Sequence, residues 1–522
     1  MTTEVAVHTV ADVTRHYAAR QPDHVALVFE GRETTYGELG QRAHRVANGL
    51  ISEGCKPESR IAILDKNSDR FFEVLFGSAQ ARSVLVAVNW RLAPPEVAYV
   101  INDALAEVLF VGEEFFPVIE RIRGELKTVR KIIAVSGSHP EWESYEAWRD
   151  RQSAEDPGLP STPDDVAIQL YTSGTTGHPK GVQLTNRNLF TLVPTALNEW
   201  GTWSPADVNL VAMPLFHIAG SGWGLLGLCV GAKTVVVREV VPPTIIELIP
   251  KYRVTKAFFV PAVLLFLLQV PGVQEADFSS LELIAYGASP IPLDLLRDSL
   301  ATFKCGFMQL YGLTETTGAV TALHPEDHDP NGTPRMRSCG RPLSSAEIRV
   351  VDPEGNELPP GQVGEIIVRS PQVMKGYWNL PDATAQAIRD GWFYTGDAGY
   401  FDEDGYLYIH DRVKDMIVSG GENVYPAEVE SALFGHPAVA DVAVIGVPDD
   451  RWGEAVKAIV VPKPGTNPTA EELIAFARER IAGYKVPKSV DFVSELPRNP
   501  SGKILKRELR EPYWAGRERR VN

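Results

Sequence analysis

A glycine- and hydroxyl-rich segment, YTSGTTGHPKG at 171–181, follows a predicted buried strand and carries residue types that hold phosphate groups. Its glycines allow close backbone approach, its hydroxyls and amides can bond phosphate oxygens, and its lysine adds a positive charge. The spacing differs from G-x-x-x-x-G-K-[ST], so this is not a Walker loop. The alternative is a flexible surface linker, which the preceding strand disfavours. We predict a phosphate-binding loop built from Thr172, Ser173, Gly174, Thr175, Thr176, Gly177 and Lys180.

Further motifs follow this loop in order along the chain. They are YGAS at 286–289, YGLTE at 311–315, GYWNLPDAT at 376–384, YTGD ending at Asp397, DRVKDMIVSGGENVYPAEVE at 411–430, GVPDDRWGE at 446–454 and PRNPSGKIL at 497–505. Together they resemble the signatures of the adenylate-forming superfamily, in its acyl-CoA synthetase or fatty-acid–CoA ligase branch. The resemblance spans nearly the whole chain. It implies that a carboxylate attacks the α-phosphate of ATP, giving acyl-AMP and pyrophosphate, and that a thiol then displaces AMP.

The resemblance also implies which residues contact the nucleotide. Thr314 would hold phosphates, and Glu315 is the candidate magnesium ligand, because Mg²⁺ favours one or two carboxylates with phosphate oxygens. Asp397 and Arg412 would contact the ribose hydroxyls. Each assignment has a structural alternative. Glu315 would be a charge in the first turn of a helix, Asp397 a turn residue and Tyr311 a core residue. The remaining nucleotide contacts are expected from Gly287, Ala288, Ser289, Tyr311 and Gly312.

The C-terminal motifs imply a domain that presents a different face in each half-reaction. Lys503 would stabilise charge during adenylation, and Lys414 matches the hinge about which relatives rotate this domain. We expect the acceptor to be CoA, since no carrier domain or phosphopantetheine site is seen after Lys503; the alternative is an acyl-AMP ligase that supplies a separate carrier protein. The candidate CoA contacts are Ser419, Gly420, Gly421, Glu422, Trp452, Arg91 and Lys485. Core packing is the alternative for Trp452, and an ordinary surface charge is the alternative for Arg91 and Lys485.

PLFHIAG at 214–220 resembles a motif of acyl-CoA synthetases and places His217 at the mouth of the acyl site. The helix that follows has four glycines on one face: Gly220, Gly224, Gly227 and Gly231. That face is either a close packing surface or a smooth wall for the acid, which would make Gly220 and Gly224 acyl-pocket residues. The carboxylate end is expected to be lined by Tyr286, Gly287, Gly312, Thr317 and Gly318.

The candidate acyl pocket offers no obvious Arg or Lys for a second carboxylate, so we expect a monoacid. A medium- or long-chain fatty acid is the first choice, and aryl and steroid side-chain acids are the alternatives. A purely AMP-binding sensor is a different class of function. It is disfavoured because a protein that only bound AMP would not need Lys503.

The elements that position these residues change character along the chain. Up to about residue 335, apolar runs alternate with helical patterns, which is typical of mostly parallel sheets with helices on both faces. Strands are predicted at 60–64, 84–88, 106–111, 131–135, 166–171, 208–213, 233–237, 256–260 and 281–287. Two capping boxes, Thr35 with Glu38 and Thr469 with Glu472, predict helix starts.

Later strands are joined by tight turns with little helix between them. Strands near 346–352, 365–370 and 406–411 predict a small antiparallel β-barrel, and those near 442–447, 455–461 and 489–493 predict an α+β unit. The predicted fold is therefore α/β, with a large N-terminal AMP-binding domain and a small mobile C-terminal lid. Their predicted bounds are 1–411, with subdomains of about 1–160, 161–335 and 336–411, and 412–522.

Composition narrows the class of protein. The 522 residues include 51 basic and 67 acidic ones, a net charge of −16, which argues against nucleic-acid and anionic-membrane binding. Four cysteines without a C-x-x-C pair disfavour a disulfide framework or zinc site and suit a reducing cytoplasm. The apolar stretch 257–273 is too short and too interrupted by proline for a membrane span. A small acid, ATP and CoA are the expected partners, and family habit suggests a homodimer.

Overall fold

The structure is a computed structural model. It describes residues 7–172, 179–412, 415, 417–419, 422–449, 452–498 and 504–515. Within these residues the strands are β1 (Val25–Phe29), β2 (Arg32–Thr35), β3 (Arg60–Leu64), β4 (Val84–Ala87), β5 (Val108–Val111), β6 (Lys131–Ala134), β7 (Glu143–Ser144), β8 (Val166–Thr172), β9 (Lys180–Thr185), β10 (Val208–Val211), β11 (Lys233–Val236), β12 (Lys256–Phe259), β13 (Leu283–Gly287), β14 (Gly306–Leu313), β15 (Gly318–Leu323), β16 (Arg341–Pro342), β17 (Glu347–Val351), β18 (Gly364–Arg369), β19 (Gly376–Tyr377), β20 (Ile388–Arg389), β21 (Trp392–Phe401), β22 (Leu407–Arg412), β23 (Ile417–Ser419), β24 (Glu422–Val424), β25 (Val439–Asp449), β26 (Gly453–Pro462) and β27 (Ser489–Phe492).

Helices lie between most of the parallel strands. They are α1 (Val10–Arg20), α2 (Tyr36–Ser52), α3 (Asp69–Gln80), α4 (Pro94–Asp103), α5 (Phe116–Ile122), α6 (Tyr145–Asp150), α7 (Asn186–Glu199), α8 (Ile218–Cys229), α9 (Pro242–Tyr252), α10 (Pro261–Leu268), α11 (Leu293–Phe303), α12 (Pro381–Ala387), α13 (Pro426–Phe434), α14 (Ala470–Arg478) and α15 (Lys506–Trp514). Both predicted capping boxes are present, at the starts of α2 and α14. The apolar stretch 257–273 forms most of β12 followed by α10.

Two mostly parallel sheets form the N-terminal part of the molecule, as the sequence predicts. One has the strand order β16-β15-β14-β13-β12-β10-β11-β1-β2, and the other has the order β19-β9-β8-β4-β3-β5-β6-β7. The strands of the segment 1–160 divide between these sheets, because β1 pairs in parallel with β11 while β4 pairs in parallel with β8. The two sheets are therefore interleaved along the chain. A single apolar core joins them, with Phe72, Trp148 and Phe259 fully buried.

The later strands form two smaller sheets. Strands β17, β18, β20, β21 and β22 pair antiparallel, and their described pairings make an open sheet. The C-terminal unit has the order β24-β23-β26-β25 with β27 on β26, packed against α13 and α14, which gives the predicted α+β arrangement. The boundary at 411/412 stays a prediction. No helix among the described residues is long and apolar enough to span a membrane.

Candidate active site

One large cavity, of about 1520 Å³, lies between the N-terminal sheets and the C-terminal unit. Three parallel strands end at it: Thr172 is the last residue of β8, Ala288 follows β13, and Thr314 follows β14, and all three line the cavity. Ligands of open α/β sheets bind at the carboxyl ends of the strands, where the connecting loops meet. The fold therefore places the predicted nucleotide motifs around one space.

The two described ends of the predicted phosphate loop lie side by side. Thr172 is paired with Lys180 across β8 and β9, and both residues line the cavity. The Lys180 ammonium lies 4.9 Å from the centre of the Tyr377 ring, which is within cation–π distance. The rest of the predicted loop lies outside the described residues: Ser173, Gly174, Thr175, Thr176 and Gly177.

Glu315 lies on a short 3-10 helix directly after β14, with 9% of its surface exposed. Its Oε1 accepts a hydrogen bond of 2.9 Å from the Tyr377 hydroxyl, and its carbonyl accepts one from the Met374 amide. A carboxylate facing a phosphate cradle is a hard oxygen ligand of the kind Mg²⁺ takes. No group of three or more His, Cys, Asp or Glu among the described residues could hold a metal by itself. A magnesium ion at Glu315 would therefore draw its other ligands from phosphate and water.

Close backbone contacts account for the glycines of the two tyrosine-glycine motifs. A Cβ on Gly287 would lie 2.1 Å from the Leu310 carbonyl oxygen, and one on Gly312 would lie 1.6 Å from that of Gly318. Ala288 has φ +67, a left-handed conformation that costs a residue with a Cβ and often marks a functional turn. Ala288 and Gly312 line the cavity, whereas Gly287 and the half-buried Ser289 do not.

The predicted ribose residues meet at the junction of β14, β21 and β22. The Tyr311 hydroxyl donates a hydrogen bond of 2.9 Å to Oδ2 of Asp397, which is 7% exposed. Burial and the negative Asp397 raise the pKa of Tyr311 well above its ordinary value, so the phenol stays a donor. Asp397 pairs with Arg412 in the β21–β22 ladder, although the Arg412 side chain is outside the described part of the chain. Tyr311 also packs against the core of the antiparallel sheet.

His217 lines the cavity at the start of α8. Its Nδ1 accepts a hydrogen bond of 3.3 Å from the Ala219 amide and so caps the helix. Burial lowers the pKa of His217 to about 4, so the imidazole is neutral near pH 7. Because Nδ1 is an acceptor, the proton of the neutral ring is on Nε2. His217 can therefore donate a hydrogen bond to an oxygen atom without carrying a charge.

An apolar branch of the cavity runs between α7 and α8. Its residues are aliphatic or aromatic, and three of them, Ala196, Ala219 and Gly222, are small. The branch is lined by Leu189, Leu192, Val193, Ala196, Trp200, Ile218, Ala219, Gly222, Trp223, Leu225, Leu226 and Phe258. This lining suits a hydrocarbon group, and its described side chains carry no charge that could pair with a second carboxylate, although the buried indole N–H groups of Trp200 and Trp223 have no hydrogen-bond partner.

The glycine face of α8 does not line this branch: Gly220 and Gly224 pack against neighbouring elements, and their role in the acyl pocket stays a prediction. A Cβ on Gly220 would lie 2.3 Å from the Pro214 carbonyl oxygen, and one on Gly224 would lie 2.6 Å from the Phe72 ring. These contacts show close packing, the other possibility that the sequence left open. The opposite face of the same helix, which carries Gly222, faces the cavity instead.

The predicted lining of the carboxylate end is divided by the structure. Gly312, Thr317 and Gly318 line the cavity, and their place at the carboxylate end stays a prediction. Tyr286 does not: its side chain is fully buried, and its hydroxyl lies 3.0 Å from Nε2 of His328. Tyr286 and Gly287 therefore do not line the cavity: the Tyr286 ring is buried in the core, and Gly287 packs against the backbone of Leu310.

The C-terminal unit forms the other side of the cavity. Its lining residues are Asp415, Arg498, Ile504, Leu505, Lys506, Arg507, Glu508, Arg510 and Glu511. Arg510 donates a hydrogen bond of 2.7 Å to Oδ1 of Asp415, which ties α15 to the segment before β23. Lys414 and Lys503 lie outside the described residues, but Asp415 and Ile504, their described neighbours, both line the cavity.

The candidate CoA contacts fall into separate groups. Arg91 lines the cavity, with its guanidinium 4.6 Å from the centre of the Trp90 ring. Lys485 does not line it and bonds both Glu428 oxygens at 2.7 Å. Ser419 pairs with Glu422 and with Gly453 in the C-terminal sheet, next to the exposed Trp452, and neither Ser419 nor Trp452 lines the cavity. Gly420 and Gly421 are outside the described residues.

Comparison with known proteins agrees with this geometry. Residues 14–378 match the AMP-binding enzyme family, and residues 428–503 match the AMP-binding enzyme C-terminal domain. The chain belongs to the AMP-binding enzyme family. Because its homologues in this family are named acid–CoA or acyl ligases, the chain is an ATP-binding, adenylate-forming acid–thiol ligase.

Members of the AMP-binding enzyme family match the chain almost end to end. The fatty acid–[acyl-carrier-protein] ligase ScoC of Streptomyces coeruleorubidus is 43% identical, covering 99% of this chain and 98% of that protein. A feruloyl-CoA synthase of Amycolatopsis is 41% identical over 95% and 97%. The anthranilate CoA ligase AuaEII, solved with anthranoyl-AMP, has a TM-score of 0.90 at 29% identity, covering 97% of each chain. These members differ in acid and in acceptor.

Two features of this family member were missed from the sequence. Tyr377, within the GYWNLPDAT segment, contacts both Lys180 and Glu315, and its strand reaches them only through the β19–β9 pairing. Trp200 ends the apolar branch just after α7. Tyr377 lies in a recognisable motif, so its place in the site could have been predicted, whereas no motif includes Trp200.

Proposed function

We propose that the protein is an ATP- and Mg²⁺-dependent acyl-CoA synthetase for a medium- or long-chain fatty acid. It forms acyl-AMP with release of pyrophosphate and then transfers the acyl group to the thiol of CoA with release of AMP. The observation that carries this proposal is one continuous cavity, with Lys180, Thr314 and Glu315 at its polar end and an uncharged branch between α7 and α8. The fatty-acid name of the ScoC relative supports the acid class.

In adenylation, the acid in the apolar branch reacts with ATP at the polar end of the cavity. A carboxylate oxygen forms a bond to the α-phosphorus while the bond to pyrophosphate breaks, so negative charge builds on the phosphoryl oxygens. Thr172, Thr314 and Lys180 face that charge, and Lys503 is proposed to join them. Bound Mg²⁺ would neutralise phosphate charge beside Glu315. We propose that the neutral His217 donates a hydrogen bond to the acid's oxygen without forming the salt bridge that a charged imidazole would form with a carboxylate.

Thioester formation uses the same acyl position. The CoA sulfur bonds to the acyl carbon, and the carbon–oxygen bond to AMP breaks. We propose that the C-terminal unit turns about Lys414 so that the segment with Ser419, Glu422 and Trp452 replaces the α15 face. The described residues of this unit support the proposal, since Asp415, Arg498 and several residues of α15 line the cavity, whereas Ser419 and Trp452 do not.

A separate acyl carrier protein is the second candidate acceptor. The relative ScoC, at 43% identity, is named a fatty acid–[acyl-carrier-protein] ligase. CoA and a carrier protein present the same pantetheine thiol, so the adenylation residues would serve both. The two acceptors differ in what surrounds the thiol, a 3′-phosphoadenosine or a protein surface.

The test supplies the enzyme with ATP, Mg²⁺, one acid and one acceptor, and detects the thioester by mass. The acids are saturated fatty acids of increasing length, a feruloyl-type acid and a steroid side-chain acid. The acceptors are CoA, a phosphopantetheine-bearing carrier protein and the same carrier without phosphopantetheine as control. We expect acyl-CoA from fatty acids longer than butyrate.

The outcomes separate the candidates. Acyl-carrier product without acyl-CoA would replace the first proposal by the second. A preference for the feruloyl-type or steroid acid would refute the fatty-acid assignment while leaving the ligase chemistry intact. Release of pyrophosphate with no thioester on any acceptor would refute both acceptors.

A further inference from the structure

A second cavity, of about 410 Å³, shares Trp200 with the apolar branch of the first cavity. Within the described parts of the chain, Trp200 is the one residue that lines both spaces. The second space has a different chemical character, because its lining includes Glu199, Lys256, Glu282 and Glu326. Trp200 thus contacts both an apolar space and a space lined by charged residues.

Trp200 is held firmly in this position. Its amide donates a hydrogen bond of 2.8 Å to the Ala196 carbonyl at the end of α7, and 4% of its surface is exposed. Its ring stacks on that of Trp223 with centres 6.5 Å apart and planes 20° from parallel. Trp223 in turn contacts Phe258 at 5.8 Å. The end of the apolar branch is therefore a layer of packed aromatic rings.

This arrangement has a direct consequence for an acid of growing length. Each methylene buried in the apolar branch favours binding by about fourfold. A chain that reaches Trp200 can gain no further methylene, because the ring blocks it and the space beyond is lined by charges. The increase in binding affinity for each added methylene should therefore end abruptly at one chain length.

We propose that Trp200 determines the acid's maximum length by separating the apolar branch from the second cavity. The inference rests on the proposed function, since it concerns the acid that the same cavity activates. Replacing Trp200 by a small residue joins the two spaces, and the added room lies directly beyond the end of a bound acyl chain.

The experiment compares wild type, Trp200→Ala and Trp200→Leu across saturated acids of increasing length, measuring pyrophosphate release under kcat/KM conditions. We expect the most active acid to lengthen by about two methylenes or more in Trp200→Ala, with a smaller shift in Trp200→Leu. Acids well below the wild-type maximum should keep their rates within about threefold, since they do not reach Trp200. Trp200→Leu keeps the test usable if the alanine variant does not fold.

Trp203→Ala is the matched control. Trp203 is a buried tryptophan that packs on Trp223 at 5.4 Å but lines neither cavity. It should leave the length profile unchanged. An unchanged profile in the folded Trp200 variants, or an equal shift in Trp203→Ala, would overturn the role of Trp200 alone. A wild type that adenylates no fatty acid would overturn the proposed function, and the role of Trp200 with it.

Discussion

Helix α8 allows a paired test of which of its faces meets the acid. Gly222 and Gly224 lie two residues apart, but Gly222 lines the cavity and Gly224 packs against Phe72. The same substitution, glycine to leucine, should therefore have opposite effects at the two positions. We expect Gly222→Leu to change acid selectivity and Gly224→Leu to change stability.

The magnitude at Gly224 follows from its surroundings. A Cβ there would lie 2.6 Å from Cζ of Phe72, a fully buried ring, so a leucine overpacks the core. Overpacking costs about 3 kcal/mol, and better helix propensity returns about 1 kcal/mol. The free energy of unfolding should fall by about 2 kcal/mol, measured by urea denaturation with the length profile unchanged.

The magnitude at Gly222 concerns substrate. The nearest atom to a Cβ there is Cδ1 of Ile218 at 3.2 Å, the flexible end of a side chain, so a leucine can be accommodated on the cavity side. If it displaces about three methylenes of a long acid, at about 0.8 kcal/mol each, kcat/KM for that acid falls about 60-fold. Acetate and butyrate should be spared. The reasoning is refuted if Gly224→Leu shortens the profile without loss of stability, or if Gly222→Leu leaves the profile unchanged.

Three other predictions concern the polar end and its surroundings. Tyr377→Phe removes a hydrogen bond to the Glu315 carboxylate that is worth about 1.5–3 kcal/mol. The Mg²⁺ concentration that gives half-maximal ATP binding in calorimetry should therefore rise about tenfold or more. An unchanged Mg²⁺ dependence would contradict this prediction. Lys503→Ala should slow pyrophosphate release far more than thioester formation from supplied acyl-AMP, and equal losses in both assays would exclude a role specific to adenylation. His217 has a folded-state pKa lowered to about 4, so between pH 4 and 6.5 the unfolded chain binds the extra proton and stability falls as pH is lowered. His217→Asn should therefore reduce the stability difference between pH 7 and pH 5 by about 1–2 kcal/mol in urea denaturation, and a difference equal to that of wild type would argue against a buried neutral imidazole.

Local patterns were enough to predict most elements. The run at 60–64 forms β3 with the predicted bounds, because a strand buried on both faces is apolar at nearly every position, here all but Arg60. The Thr35 capping box begins α2 because its two hydrogen bonds are formed within four consecutive residues. The motifs at 286–289 and 311–315 also came together as expected, since β13 and β14 are parallel neighbours.

Properties that depend on distant partners could not be predicted in the same way. A row of glycines at helical spacing shows that one face is smooth, but not whether Phe72 or a substrate lies against it. Tyr377 reaches Glu315 through a strand pairing between segments almost two hundred residues apart. The position of Trp200 between two spaces depends on side chains from several elements that are distant in the sequence. Each of these features depends on contacts between residues far apart in the sequence, so a local sequence pattern cannot predict it.

The pairing of β1 with β11 has a consequence for synthesis of the chain on the ribosome. Leu27 lies opposite Thr234, so β1, which pairs with β2 directly after it, must wait for its second neighbour, which is translated roughly 200 residues later. At about 5–20 residues per second, that delay is about 10–40 s. During this interval the nascent chain carries Val28 and its neighbours as an unpaired apolar edge. Any product that terminates before residue 236 keeps that edge permanently, so incomplete chains should be the aggregating species in expression of this protein.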